Sequence, residues 1–566
     1  MVDISHMEPA PDAGSSSPDA PAAEPSAEAV RTRIRPPDAP RRRPGLVPIL
    51  IFALVTVAFY LLCLANSDTT PWDADTSAVF LQGWDLVHGH LLLHGWWSSD
   101  VNFYTFDAPI YGICGLIFGM GNQALHIAGA VIYTLVFLAA CWAVKGGAQG
   151  AKLWLRISLV AFLMTAMLYS GALRGTLLLI PDHTGTSVFL LVAFVLYDRH
   201  AERRWAPWAL LAVLTLGQLG DATVRYMAIP TLLVVWLLEL PSVRRLRTPR
   251  GWMALAAVGS VALSMGLRDI EKALGAYHLN APAASIAPVS QWNWHISGTY
   301  DSLLSLFGVQ EAGFLHESEA RFEITIMGGI ALIAGAAAVL TVLLRWTKKP
   351  ALDRLIVVGS VVYLGAYCFS TMAIRGGGGG YEFVGIIPLF AVLGARNLTD
   401  LRWPRFGLGV RTQLRAAVAL TVVAGLAAAG CLVSGSELNL PRAQDAAETT
   451  ALWLKAHGFK NGLAGYWDAT PMTVYSGDAV KVRAIFPTNG AFLPNAWGSK
   501  STWYEASKVY ANFVVTGGKR GGLNEAATEA AFGTPAQTYA FDNYTILVYN
   551  YNLLDRQLKV NLPPGA

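Results

Sequence analysis

Six aspartates, Asp68, Asp73, Asp75, Asp85, Asp100 and Asp107, fall between residues 66 and 123, with no lysine or arginine among them. His88, His90 and His94 lie in the same stretch, interleaved with Trp72, Trp84, Trp96, Trp97, Phe103, Tyr104 and Phe106. Carboxylates without basic partners can do two kinds of chemistry. One that is held ionised can take a proton from a hydroxyl as a general base. A cluster of them can bind a hard divalent cation. Trp and Tyr rings suit a membrane interface, and their faces also suit sugar rings. The pattern from Thr76 to Val87 predicts an amphipathic helix with Asp75 near its N-terminus, where the helix dipole favours the charged form. Asp75 can equally be the N-cap of that helix, and Asp73 with Asp75 can form half of a cation site. The three histidines lack a metal-site spacing and read as interfacial residues.

A second set of polar residues lies in three later connections. Arg174 and the run Pro181-Asp182-His183-Thr184-Gly185-Thr186 form one group, Asp221 and Arg225 another. Arg375 opens the third, followed by Gly376–Gly380, Tyr381 and Glu382. Guanidinium groups grip phosphate bidentately, and a glycine run lets backbone N–H groups approach an anion. A lipid-linked phosphate is therefore a natural ligand for Arg174, Arg225, Arg375 and His183. Other readings stay open: Arg225 can pair with Asp221 four residues away, and Arg375 can anchor at the headgroups.

The elements that position these residues are spelled out by composition. The chain has 566 residues, 54% of them hydrophobic and only 14% charged, against about a quarter charged in soluble proteins. Mean hydropathy is +0.41. The apolar residues come in blocks of roughly span length, so the reading is a polytopic membrane protein. A net charge of +4 is mild and gives no sign of a nucleic-acid partner. All five cysteines lie in apolar stretches, without a disulfide framework or zinc spacing.

The predicted spans are 46–64, 124–144, 153–171, 185–198, 206–220, 227–241, 252–267, 324–345, 355–372, 383–395 and 415–434, about eleven in all. The 206–241 stretch reads as two short helices meeting at a polar turn. Lysines and arginines crowd alternate connections: Lys152 and Arg156, then Arg199–Arg204, Arg244–Arg250, Arg345–Arg354 and Arg396–Arg411. By the positive-inside rule those connections and the N-terminus are cytoplasmic. The 66–123 loop and the C-terminus are then extracytoplasmic, with the protein in the cytoplasmic membrane. Residues 1–44 are rich in Pro, Ala, Ser and acids and read as a disordered cytoplasmic tail. Residues 45–435 read as the transmembrane domain, and 436–566 as an extracytoplasmic α/β domain. In that domain, a helix is predicted at 446–457, β-rich runs at 462–467, 480–486, 512–516 and 544–549, and a second helix at 526–532. No Walker A sequence, HExxH, or GxGxxG between strand and helix occurs.

One early span, a long acidic and aromatic outer loop with an Asp at its start, many further spans and an extracytoplasmic α/β domain together resemble the GT-C superfamily of membrane glycosyltransferases. The stretch Asp75–Asp85 with Leu86–Trp96 and Ser99–Thr105 also resembles multi-span membrane proteins of high-GC actinobacteria. The GT-C resemblance implies a polyprenyl-phosphate monosaccharide as donor and a glycan, lipid or protein as extracytoplasmic acceptor. It implies Asp75 as the base, with Asp73 as the alternative. Where protein O-mannosyltransferases have an Asp-Glu pair, this chain has Asp75-Thr76. On this expectation Arg375 and Arg225, with His183 or Arg174, bind the donor phosphate, and the reaction inverts the anomeric carbon. Asp107, Trp84, Trp96, Tyr104, Asp221, Tyr381 and Glu382 position the sugars. The residues name no particular cofactor, and a divalent cation at Asp73 and Asp75 stays open. Two alternatives are a flippase for a lipid-linked saccharide, using Asp221 and the broken spans, and a non-catalytic envelope scaffold.

Overall fold

The structure, a computed structural model, describes residues 45–99, 101–169, 171–179, 183–239, 248–280, 285–309, 322–373, 380–400, 445–488, 491–518 and 522–555. The chain divides into a short first unit, residues 1–54, and a second, residues 55–566. The first contributes the opening turns of helix α1 (Leu46–Ser67).

Apolar runs fold as helices here because backbone polar groups in hydrocarbon must bond within their own segment. After α1 come α2 (Ala74–Val87), α3 (Asp107–Phe118), α4 (Asn122–Lys145), α5 (Gly150–Thr165), α6 (Gly171–Leu178), α7 (Thr186–Val195), α8 (Ala206–Gly220) and α9 (Thr223–Leu238). They are followed by α10 (Pro249–Ala273), α11 (Trp292–Leu306), α12 (Phe322–Leu344), α13 (Ala351–Cys368) and α14 (Ile386–Asp400). Ten of the eleven predicted spans coincide with helices, and the eleventh, 415–434, lies outside the described residues. Four of the described helices, α1, α4, α10 and α13, are long and apolar enough to cross a membrane. The two-helix reading of 206–241 matches α8 and α9. Asp221 ends α8 with an extended backbone (φ −151°, ψ 114°), and the chain turns there into α9. Three helices had no counterpart in the sequence reading, α3, α6 and α11. All are shorter than a span, so none registers as an apolar block of membrane length.

The basic connections meet acids at helix ends. Lys152 and Arg156 bond to Asp400 at 2.5 and 2.9 Å. Arg250 and Arg354 bracket Glu239, each at 2.6 Å. Arg396 pairs with Asp353 at 2.5 Å, both side chains being buried. Arg156, Arg199 and Arg396 all approach Gly146, so basic residues from three predicted cytoplasmic connections gather at one end of the bundle.

The strands are β1 (Trp96–Ser99), β2 (His278–Asn280), β3 (Asn461–Ala464), β4 (Lys481–Thr488), β5 (Ala491–Pro494), β6 (Ser499–Lys500), β7 (Phe513–Gly517), β8 (Gln537–Phe541) and β9 (Tyr544–Val548). Helices α15 (Ala446–Ala456), α16 (Tyr466–Tyr475) and α17 (Glu525–Phe532) accompany them. Six strands form one sheet in the order β5–β4–β3–β7–β9–β8. Its centre is parallel: β3 runs with β4 and with β7, and α16 is the crossover from β3 to β4. Alternate residues face opposite sides. Val482, Ala484, Phe513 and Val515 pack under α15 and α16 with Ala451, Leu454 and Met472. Leu463, Ile485, Val514 and Leu547 pack on the other side with Phe532 of α17 and with Trp97, which arrives from β1. The predicted β-runs are β3, β4, β7 and β9, while β5 and β8, at the edges, were not anticipated.

A second, three-stranded sheet joins distant parts of the chain, in the order β2–β1–β6. Trp97 of β1 faces His278 in parallel β2 and Ser499 in antiparallel β6. The 66–123 connection is thereby bonded to the sheet-bearing C-terminal region.

Candidate functional site

The N-terminus of α2 is built by local chemistry. Asp73 is the N-cap: its Oδ1 accepts from the Thr76 N–H and the Thr76 hydroxyl, both at 3.0 Å. Asp75 stands in the first turn, where four backbone N–H groups lack helical partners. The phenol of Tyr466, at the start of α16, donates to Asp75 Oδ1. Thr76 also donates to the Leu179 carbonyl at 2.7 Å, and Tyr111 of α3 donates to the same carbonyl at 3.1 Å. This ties the start of α2 to the segment that leads to His183. Helices α2 and α3 lie close because both lack side chains where they cross. A Cβ on Gly83 would be 2.1 Å from the Ala108 carbonyl oxygen, and one on Gly112 would be 2.1 Å from that of Gly83.

A buried polar cluster gathers at the turn between α8 and α9. His183, at a left-handed φ of 57°, places Nδ1 2.7 Å from Asp221 Oδ2 and Nε2 3.5 Å from Glu382 Oε2. Asp221 also accepts from the Thr186 hydroxyl and, at 2.8 Å, from the Thr223 N–H. Burial works against both charges of the pair, but each partner more than offsets it for the other. Asp221 is held below the ordinary carboxylate range by His183, and His183 is held well above the ordinary histidine value by Asp221 and Glu382. Asp107, which opens α3, faces the same cluster. Burial, with the Asp221 charge close by, pushes its carboxyl up to about 7. Its Oδ1 is buried without a hydrogen-bond partner among the described residues. Gly185 makes room for it: a Cβ there would fall 2.5 Å from both carboxyl oxygens. A cavity of about 10 Å³ is lined by Asp107, Tyr111, Gly129, Leu178 and Thr184; it matches one water and is far too small for a sugar.

The expected residues thus divide. His183, Asp221, Glu382 and Asp107 come together, and Asp73 and Asp75 share the start of α2. Tyr381 sits beside Glu382 in a short turn of 3₁₀ helix. Arg174 is buried and donates to Thr69 Oγ1 at 2.7 Å. Arg225 turns toward α8 and α10, donating to Gln218 Oε1 at 3.2 Å and Ser264 Oγ at 3.4 Å; Asp221 meets His183 instead. Trp84 packs against Gly115 of α3. Trp96 is buried, donating to Asp85 at 2.8 Å and meeting Trp503 edge-on at 5.0 Å. Tyr104 donates to the Leu91 carbonyl at 2.5 Å and packs on Tyr277. Arg375 lies outside the described residues, as does Asp100. No three His, Cys, Asp or Glu side chains converge as metal ligands would among the described residues.

Residues that sequence reasoning passed over stand beside these. Tyr466 is one: it falls inside the predicted β-run 462–467, whereas it opens a helix and its partner is 391 positions away. Lys500 is another, reaching Asp85 at 2.9 Å. Arg483, buried, stacks over Trp503 at 3.8 Å, and burial lowers its guanidinium to about 10. Arg268 donates to the carbonyls of Gln218 and Leu219 just before the Asp221 turn.

The helix bundle, with helices long and apolar enough to cross a membrane, the long first connection and the C-terminal sheet define the class as a polytopic helical membrane protein with an α/β region. Among solved structures the chain is similar to ArnT from Cupriavidus metallidurans, crystallised with undecaprenyl phosphate. The likeness covers 90% of this chain and 98% of that one, with a TM-score of 0.54 and 12% identity, and it is a likeness of fold. No protein-family model and no curated protein matches the sequence.

Proposed function

We propose that the protein transfers a monosaccharide from a polyprenyl-phosphate donor to an acceptor hydroxyl on the outer face of the cytoplasmic membrane. The observation that carries this reading is the carboxylate of Asp75. It stands in the first turn of the first helix after the first span, gripped by Tyr466, in a chain with the fold of ArnT. Nucleotide sugars are confined to the cytoplasm, so an outer-face transferase needs a lipid-linked donor, and ArnT was crystallised with such a lipid phosphate.

Asp75 takes the proton of the acceptor hydroxyl as its oxygen attacks the anomeric carbon. The new C–O bond forms while the bond from that carbon to the phosphate oxygen breaks. The lipid phosphate leaves with the electron pair, already anionic, so no strong acid is needed. Positive charge for it comes from Arg375 and Arg225, with Arg174; the two ring nitrogens of His183 face Asp221 and Glu382, so its charge is neutralised within that cluster. One displacement inverts the anomeric carbon. Trp84, Tyr104, Tyr381 and Glu382 shape the surroundings of the sugars, and the buried Asp107 and Trp96 support the elements behind them. The N-terminus is cytoplasmic, and residues 436–566 form the extracytoplasmic domain.

The test is transfer from labelled polyprenyl-phosphate sugars by the purified protein. Asp75→Asn should lower the rate by about 10²–10⁴-fold, with lipid phosphate as co-product and an inverted anomer by NMR. Transfer at the wild-type rate in Asp75→Asn would remove Asp75 from this role.

A further inference from the structure

Tyr466 follows Gly465 directly after β3, at the carboxyl end of the central strand of the parallel trio β4–β3–β7. The chain leaves β3 toward β4 on one side and returns to β7 on the other. In open α/β sheets the crevice outside such strand ends receives groups from beyond the sheet. What meets this edge is α2. Ser77 donates to Thr470 Oγ1 at 2.9 Å, and Thr470 donates to the Ala74 carbonyl at 3.2 Å. Trp72 stacks on Tyr475 at 3.9 Å. Gly498 keeps the approach close, since a Cβ there would lie 2.6 Å from the Ala78 Cβ. The functional edge of the sheet and the start of α2 therefore face each other, with the Tyr466 phenol on Asp75.

We infer that Tyr466 is a positioning residue for the Asp75 carboxylate, so that the C-terminal region supplies part of the catalytic apparatus. This rests on the reading of Asp75 as the general base. A carboxylate on a short side chain rotates unless its oxygens are held. The phenol O–H donates to Oδ1 in a charge-assisted bond. That bond restrains the torsion of the carboxylate and so helps to orient it toward an acceptor hydroxyl. A docking role alone does not require the phenol, because Thr470, Ser77, Trp72 and Tyr475 already join α16 to α2 without touching the carboxylate.

The experiment compares full-length wild type, Tyr466→Phe and Thr470→Val in lipid nanodiscs. Carbodiimide modification of Asp75 and Asp73, read by mass spectrometry, needs no activity. Tyr466→Phe should raise modification of Asp75 several-fold and leave Asp73 unchanged. It should lower kcat by about tenfold to hundredfold with the donor KM unchanged, while Thr470→Val alters neither reading. Unchanged modification of Asp75 in Tyr466→Phe overturns the inference. So does an equal loss of kcat in Thr470→Val, which would make the bond a docking contact. If wild type transfers no sugar from any polyprenyl-phosphate donor, the transferase reading falls separately, and the modification pattern still decides whether the phenol holds Asp75.

Discussion

At the scale of single residues, carboxyl groups in this chain are separated by their surroundings. Asp73 spends its side chain on a helix cap, Asp75 meets a phenol, and Asp221 is locked to His183. Asp468, in the first turn of α16, is buried beside Gly518 and accepts from the Tyr544 phenol at 2.6 Å. Burial pushes it from 3.8 up to about 6, against the lowering effect of Tyr544. Its proton is therefore bound more tightly in the folded chain than in the unfolded one. Stability contributed by that proton is complete below about pH 4, falls as pH rises through about 6, and stays lost above. Asp468→Asn should escape this loss, gaining about 2 kcal/mol over wild type at pH 8 and little at pH 4. Unfolding of detergent-solubilised protein across that pH range measures it.

At the scale of elements, β1 ties the first connection to the C-terminal region. It has four residues, yet it bonds to β2 and β6 and sends Trp97 into the core under the C-terminal sheet. Asp85 of α2 steadies it by accepting from Trp96 and Lys500 at 2.8 and 2.9 Å. Asp85→Asn weakens these charge-assisted bonds and should cost about 1–3 kcal/mol, read as faster proteolysis between residues 88 and 99. What was legible beforehand follows from locality. The helix start at Asp73 and Asp75 was visible because a cap acts over three residues, as Thr76 shows. The cap itself was misplaced: Asp75 was expected there, but the helix starts two residues earlier, so Asp73 caps it and Asp75 falls in the first turn. The break at Asp221 was visible as a polar interruption between apolar runs. Its partner His183, 38 positions earlier, and the pairing of Trp97 with Ser499 depend on how distant segments are brought together, and no local pattern carries that. Strands β5 and β8 escaped notice because short edge strands need neither long apolar runs nor strict alternation.

At the scale of the whole molecule, the alternation of basic connections has a counterpart in the pairs that close one end of the bundle, Arg156 with Asp400, Arg396 with Asp353, Arg250 and Arg354 with Glu239. The orientation follows as a prediction. An impermeant maleimide applied to intact cells should label Lys508→Cys, in the C-terminal region, and spare Arg203→Cys, in a basic connection. Background should be low, because the four described native cysteines are buried; the reverse labelling would invert the topology. The β2–β1–β6 sheet has a further consequence, for biogenesis. Its middle strand leaves the ribosome roughly four hundred residues before Ser499 and Lys500 do, which at roughly 5–20 residues per second is tens of seconds. Throughout that interval Trp96 and Trp97 lack the C-terminal surfaces that will cover them. Completion of the first loop is thus timed by the synthesis of Ser499 and Lys500, and until then two indoles wait uncovered.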